Sequence, residues 1–174
     1  MTTLSEQTLP RPPRPSVPAR LEQVVYAWER LSDILPEVAP VLRSHWQEVQ
    51  WFKEMPLDPD WEKGLAYEQA GVLFILTARK DGRLVGYIFS YILESLFFSM
   101  PWATVQGFWL DPLYRGGWTG VRLFKECEKG LRERGAKAIS VEILLKIAKD
   151  RGTIGRILER LGYTHLGNLF AKVL

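Results

Sequence analysis

Two residue types that build reactive centres are almost missing. Cys127 is the single cysteine, and His45 and His165 are the two histidines among 174 residues. A lone thiol excludes an intrachain disulfide and a cysteine-built metal site, and it suits a reducing compartment. Two histidines far apart in sequence give no zinc-ligand spacing, so no metal is expected. The N-terminus lacks the apolar core of a secretory signal, from which a cytoplasmic location is expected. Leu84 to Val105 is the one stretch near bilayer-spanning length, but it contains Glu94, Pro101, three serines and many aromatic or β-branched residues, and Gly86 interrupts it. It reads as two buried strands around a loop, and no membrane partner is expected. A broad surplus of one charge is missing too. Lys plus Arg number 23 against 20 Asp plus Glu, and three arginines and one glutamate in residues 1–20 hold most of the +3 balance. A nearly neutral body offers no basic face for nucleic acid, and three arginines make few phosphate contacts.

What is present divides into an arm and a body. Five of the eleven prolines lie in residues 1–20, within the run Pro10-Arg11-Pro12-Pro13-Arg14-Pro15 and after it. Such a segment cannot pack a core and favours extended polyproline II geometry. It reads as a free tail or as an arm that docks on a partner or a second copy. Residues 21–174 form one domain of ordinary composition, 47% apolar and 25% charged over the whole chain. Its periodicity predicts a strand over Glu22–Glu29 with Val24, Tyr26 and Trp28 on one face. A helix capped at Ser32-Asp33 follows, with the stripe Val38, Val41, Leu42, His45-Trp46 and Val49, bent or split at Pro40. A second helix, capped by Asp58 or Asp60, ends at Gly71. A hairpin turns at Lys80-Asp81-Gly82 between Val72–Ala78 and Arg83–Leu93, and Thr104–Leu110 is a further strand. A helix with the stripe Val121, Phe124, Cys127 or Glu128, and Leu131 precedes a strand over Lys137–Leu145. A short helix from Gly152 or Thr153 to Leu161 and one or two closing strands over Gly162–Leu174 complete an α+β mixed sheet with helices on both faces. No internal repeat is visible.

The segment Gln106–Leu123, QGFWLDPLYRGGWTGVRL, carries the chemistry. A strand, a proline, an arginine and then glycines at the mouth of an amphipathic helix make a place for phosphate. The first helical amides have no internal partner, the helix dipole adds partial positive charge, and Gly116, Gly117 and Gly120 let a bulky anion approach the backbone. Arg115 adds a cation. By itself a Gly-Gly turn before a helix is more often structural.

This segment resembles the cofactor motif of the GNAT superfamily of N-acetyltransferases, in which a strand is followed by V-x-P-x-x-R-G, x-G-x-G and a helix. The matching run is Leu110-Asp111-Pro112-Leu113-Tyr114-Arg115-Gly116-Gly117-Trp118-Thr119-Gly120, followed by Val121 and Leu123. Downstream, Leu158-Glu159-Arg160-Leu161-Gly162-Tyr163 resembles the family's Y-x-x-L-G-F. The runs at 56–61 (PLDPDW), 84–87 (LVGY) and 114–117 (YRGG) look like those of stand-alone members encoded by tailed phages and prophages, which would work in a bacterial host's cytosol or a virion. The resemblance covers about residues 21–174. It implies a mostly antiparallel sheet with splayed middle strands and acetyl-CoA as cofactor. The pyrophosphate would lie on the amides of Gly116 to Val121. The pantetheine arm would run between the strand ending at Leu110 and the strand Lys137–Leu145. N–H groups of Phe108, Trp109 and Leu110 would pair with that arm and polarise the thioester carbonyl. An amine, small-molecule or peptide, would attack directly.

Three positions depart from the family pattern. Trp118 stands where the motif usually has glycine, so the indole either packs, turns away or covers the cofactor. Gln106 occupies the place of a general-base glutamate, and Leu158 that of the tyrosine that protonates the departing thiolate. A positioned acid or base contributes about 10²–10⁴-fold. A thiol of pKa ~8.5 can leave unaided, but at pH 7 only about one lysine in 10³–10⁴ is neutral, against roughly a tenth of amines of pKa ~8. The acceptor is therefore expected to be a weakly basic amine, or Glu142 or His45 serves as base. Trp46, Trp51 and Trp61 either line an acceptor pocket or pack the core. Two functions remain: an acetyl-CoA-dependent N-acetyltransferase, or a GNAT-fold protein without catalysis that binds in an assembly such as a phage particle through residues 1–20.

Overall fold

The computed structural model describes residues 23–50, 52, 54–94, 99–143, 148–167 and 172. The arm over residues 1–20, Trp51, residues 144–145 of the expected fifth strand and residues 168–171, 173 and 174 of the expected closing strands lie outside these. The elements are β1 (Val25–Glu29), α1 (Leu31–Val49), α2 (Trp61–Gln69), β2 (Leu73–Lys80), β3 (Arg83–Glu94), β4 (Pro101–Leu110), α3 (Trp118–Glu133), β5 (Ala138–Val141) and α4 (Ala148–Arg160). The sheet runs β1-β2-β3-β4-β5 in sequence order. The first four strands are antiparallel neighbours and β5 joins β4 in parallel, across the α3 connection. The expected mixed sheet with helices on both faces is therefore present.

Alternation in the strands sorts the core into two layers. Leu76, Ala78, Val85, Ile88, Ala103 and Val105 face α3 and α4, and Leu123, Phe124, Cys127, Leu131 and Leu158 meet them. Leu73, Ile75, Leu84, Tyr87 and Trp109 face the other way, under Leu31, Ile34 and Val38 of α1. Val24, Tyr26 and Trp28 share the α3 face, as their period-two spacing predicts. Close packing there demands Gly130, where an added Cβ would lie 2.3–2.5 Å from the Trp28 indole. Arg134 covers that ring at 4.1 Å.

Three local expectations are corrected. Helix α1 starts at Leu31 with Arg30 as its N-cap and no side-chain cap from Ser32 or Asp33. Instead the Glu68 carboxylate, arriving from α2, accepts the Leu31 and Ser32 N–H groups. Pro40 neither ends nor splits α1, which continues to Val49; Pro36 and Pro40 both lie on its exposed side, where water can answer the freed carbonyls. After α4 the described residues Tyr163–Gly167 form no strand, and His165 is exposed rather than packed in one. Elsewhere the local chemistry matches the sequence. Asp60 caps α2 by accepting from Lys63 N–H at 2.9 Å, and Asp81 and Gly82 turn the hairpin at φ 53° and 78°. No helix among the described residues is long and apolar enough to cross a membrane.

Candidate active site

The site begins with an unequal pairing. β4 has ten residues, and among the described residues only Trp102–Val105 pair with β5, opposite Ala138–Val141. A last contact, Glu142 N–H to the Val105 carbonyl at 3.4 Å, closes this seam. The next residue, Gln106, is skipped in the ladder to β3, where Phe89 faces Gly107 and Ser90 faces Val105. Gln106 is thus the extra residue of a β-bulge, and it is exposed. The bulge reverses the strand. Ala103 and Val105 face α3 before it, whereas Phe108 faces α3 and Trp109 faces α1 after it.

Backbone directions follow the same alternation. Before the bulge, the Pro101 and Val105 carbonyls accept from Lys137 and Glu142, on the β5 side. After it, Asp111 N–H donates to the Val85 carbonyl of β3 at 2.8 Å, so Asp111 and Trp109 turn their backbone groups to β3. Phe108 and Leu110 turn theirs to the β5 side, past the end of the described pairing. There the Arg115 guanidinium takes the Leu110 carbonyl at 2.7 Å. Phe108 and Leu110, rather than Trp109, therefore direct their N–H groups to the β5 side of the strand.

The strand ends on a braced turn. The buried Asp111 accepts Leu113 N–H at 3.0 Å and pairs with Arg83 at 3.0 Å. Arg115 donates to Glu48 of α1 at 2.8 Å, and the Trp109 indole reaches the same oxygen at 3.4 Å. Arg115 is thus neutralised by Glu48 and ties the turn to α1. Gly116 then adopts φ +78°, a conformation costly for any residue with a Cβ. Gly117 is the N-cap of α3. Among the described residues no side chain caps this helix, and its first turn holds no acid. Tyr26 of β1 holds that first turn in place by donating to the Thr119 carbonyl at 3.1 Å. Gly120 approaches Leu110, with 3.6 Å between its would-be Cβ and Leu110 Cδ2. Trp118 is 73% exposed, so its indole does not pack into the core.

The expected acid–base candidates divide. His45 is buried on α1, its Nδ1 lies 2.7 Å from the Tyr87 hydroxyl, and its Cε1 lies 3.8 Å from where a Cβ on Gly107 would stand. Burial lowers its pKa from the ordinary 6.5 to about 4, so it is neutral at pH 7 and a weak base. Glu142 is exposed beside the bulge, where its N–H meets Val105. Leu158 is buried against the α3 face and carries no proton to give. A cavity of about 520 Å³ lies between α3, β5, α4 and the segment after α4, but none of residues 115–121 line it. Glu48, Tyr26, Tyr87 and Arg83 brace the site from distant positions, and no local pattern in the sequence marks them.

An uncapped helix mouth at the end of a strand whose pairing with its parallel neighbour stops, among the described residues, at Val105 agrees with the arrangement implied by the motif. The Acetyltransferase (GNAT) family model matches residues 28–159. The chain belongs to the GNAT acetyltransferase family. Solved structures share the GNAT fold at low identity. An aminoglycoside acetyltransferase from an uncultured soil metagenomic sample, in complex with sisomicin, is 17% identical over 87% of this chain and 97% of its own, with a TM-score of 0.67. The ribosomal-protein-alanine N-acetyltransferase of Brucella melitensis biovar Abortus 2308 is 23% identical over 88% and 99%, with a TM-score of 0.66. The aminoglycoside N-acetyltransferase AAC(6')-Iy, in complex with CoA, is 14% identical over 91% and 99%, with a TM-score of 0.69. No curated protein matches the chain. The GNAT family uses acetyl-CoA, and by its family this chain is an acyltransferase enzyme.

Proposed function

We propose that residues 21–174 form an acetyl-CoA-dependent N-acetyltransferase acting on a weakly basic small-molecule or peptide amine. The observation that carries this reading is the run of β4 beyond its described pairing with β5, with the uncapped start of α3 after it. The residues fit the cofactor. The Gly116–Val121 amides, with no acid in the first turn, would hold the pyrophosphate, and the Phe108 and Leu110 N–H groups would line the pantetheine arm. When bound, acetyl-CoA supplies the activated acyl thioester. The chain's own part is to orient it, to place N–H donors where carbonyl charge grows, and to admit the amine beside Gln106. Gln106 can hold a water but not take its proton, and Glu142 is the carboxylate brought beside it. His45 positions by packing and its bond to Tyr87, not by taking a proton at pH 7.

The acceptor should then arrive with little need of a base. Amines of pKa ~8 are roughly a tenth neutral at pH 7, far more than lysine. The neighbours are named for aminoglycosides and for the alanine of a ribosomal protein, both amine acceptors. The likeness to members encoded by tailed phages and prophages, carried by short runs at 56–61, 84–87 and 114–117, suggests work in a bacterial host's cytoplasm. By composition, residues 1–20 suit a docking arm for a partner or second copy. Thermal melting with acetyl-CoA tests the cofactor: at a hundred times Kd the native state gains about 2.7 kcal/mol, a rise of several degrees. No rise at millimolar acetyl-CoA overturns the transferase reading. Release of free thiol from acetyl-CoA with a panel of amines then tests turnover, with α-amines expected to outrun lysine side chains at pH 7.

A further inference from the structure

The reading above leaves the indole of Trp118 unexplained. It is 73% exposed, although tryptophan is highly buried on average. Among the described residues it has no hydrogen bond or ring contact, and it stands where the family motif has glycine. Trp118 is the first residue of α3. Side chains on a helix lean toward its N-terminus, so the indole stands off the open mouth rather than back along the flank. Arg122 lies four residues on, on the same face, exposed and without an ion pair among the described residues. Leu113, 85% exposed, lies before the same turn. A planar aromatic surface next to a cation, beside an anion-binding turn, matches the chemistry of a nucleotide: a base to stack and a phosphate to pair.

The direction of the ligand agrees. A diphosphate on the Gly116–Val121 amides has two ends. The pantetheine end must enter the gap between β4 and β5, so the nucleoside end must leave past the mouth of α3, where Trp118 and Arg122 stand. We propose that the Trp118 indole stacks on the adenine of a CoA thioester and that Arg122 pairs with its ribose 3'-phosphate. The protein therefore takes free CoA thioesters rather than acyl groups held on carrier proteins, which have no adenine. This rests on the transferase reading and adds selectivity for the nucleotide.

The test is calorimetric titration of CoA, dephospho-CoA and 4'-phosphopantetheine into wild type, Trp118→Ala and Arg122→Gln, together with tryptophan emission. Stacking on an aromatic is worth about 1–3 kcal/mol per base, or roughly 5- to 150-fold in affinity. Trp118→Ala should weaken CoA and dephospho-CoA about tenfold and leave 4'-phosphopantetheine unchanged. Arg122→Gln should weaken CoA alone. Addition of CoA should quench wild-type emission more than that of Trp118→Phe, a readout that survives if the alanine variant folds poorly. CoA bound equally by Trp118→Ala and wild type overturns the proposal. So does an equal loss for CoA and 4'-phosphopantetheine, which would make Trp118 a shaper of the turn. Self-association that Trp118→Ala abolishes, with CoA affinity unchanged, would assign the indole to a dimer contact and also overturns it. If wild type binds no CoA at all, the transferase reading itself fails, a result distinct from selective failure at Trp118.

Discussion

Helices α1 and α3 begin in opposite ways. At α1 the first amides are answered: Glu68 reaches across from α2 to accept from Leu31 and Ser32, and Asp33 adds an acid to the first turn. Further along α1, His45 bonds Tyr87 and Glu48 bonds Arg115. α2 follows the same rule through Asp60 and Glu62. At α3 a glycine stands at the N-cap, no acid lies in the first turn, and the neighbouring Arg115 is already neutralised by Glu48. Helix starts left bare cost stability. Under the proposed function, a fold that caps α1 and α2 but leaves the start of α3 bare, at the end of a strand paired there with β3, would keep those amides for a ligand's anion.

That contrast can be broken most severely by capping α3. Gly117→Asp would supply the missing cap and place a carboxylate where the diphosphate must lie. Two such charges about 4 Å apart at an effective dielectric of 20 repel by about 4 kcal/mol. CoA affinity should fall roughly a thousandfold in calorimetry, while the unliganded melting point holds or rises slightly. A variant that binds CoA normally would show that the mouth is not the anion site.

The answered side has its own pH signature. The folded state holds His45 near pKa 4, whereas the unfolded chain protonates it near 6.5. Between those values the unfolded state binds the extra proton, so stability rises with pH across this window and is fully present above it. The full contribution is up to about 3 kcal/mol. Urea titrations of wild type should lose stability as pH falls from 6.5 to 4. His45→Gln, which can still bond Tyr87, should flatten that slope, and an unchanged slope would mean that His45 protonates freely.

The smallest effect comes from uncapping. Glu68→Ala should cost about 1–2 kcal/mol and Asp60→Ala about 1 kcal/mol in urea denaturation. Neither should alter CoA affinity. A loss of binding in either variant would mean that the two classes of helix start are coupled rather than independent.

Much of this was legible in the sequence because it is local. The Asp60 cap, the Asp81-Gly82 turn, the α3 stripe through Leu131 and the Arg-Gly-Gly-x-x-Gly turn depend on residues a few positions apart. The bulge at Gln106 was not legible, because it appears only as a skipped partner in a ladder with β3, and nothing in the run Val105-Gln106-Gly107 announces it. The same limit hid Glu68 as the cap of α1 and Glu48 as the partner of Arg115, 67 residues apart. His45 was visible as a candidate base, but its burial under α1, which removes its basicity, was not.

By itself the sequence determined the order of elements, which face of each is apolar, and the glycine turn that can receive an anion, since these follow from side-chain period and backbone sterics. Where β4 leaves β5, which amides face the gap, and which carboxylate neutralises which cation were decided only in the folded chain, because ladder register and charge pairing depend on residues brought together from far apart.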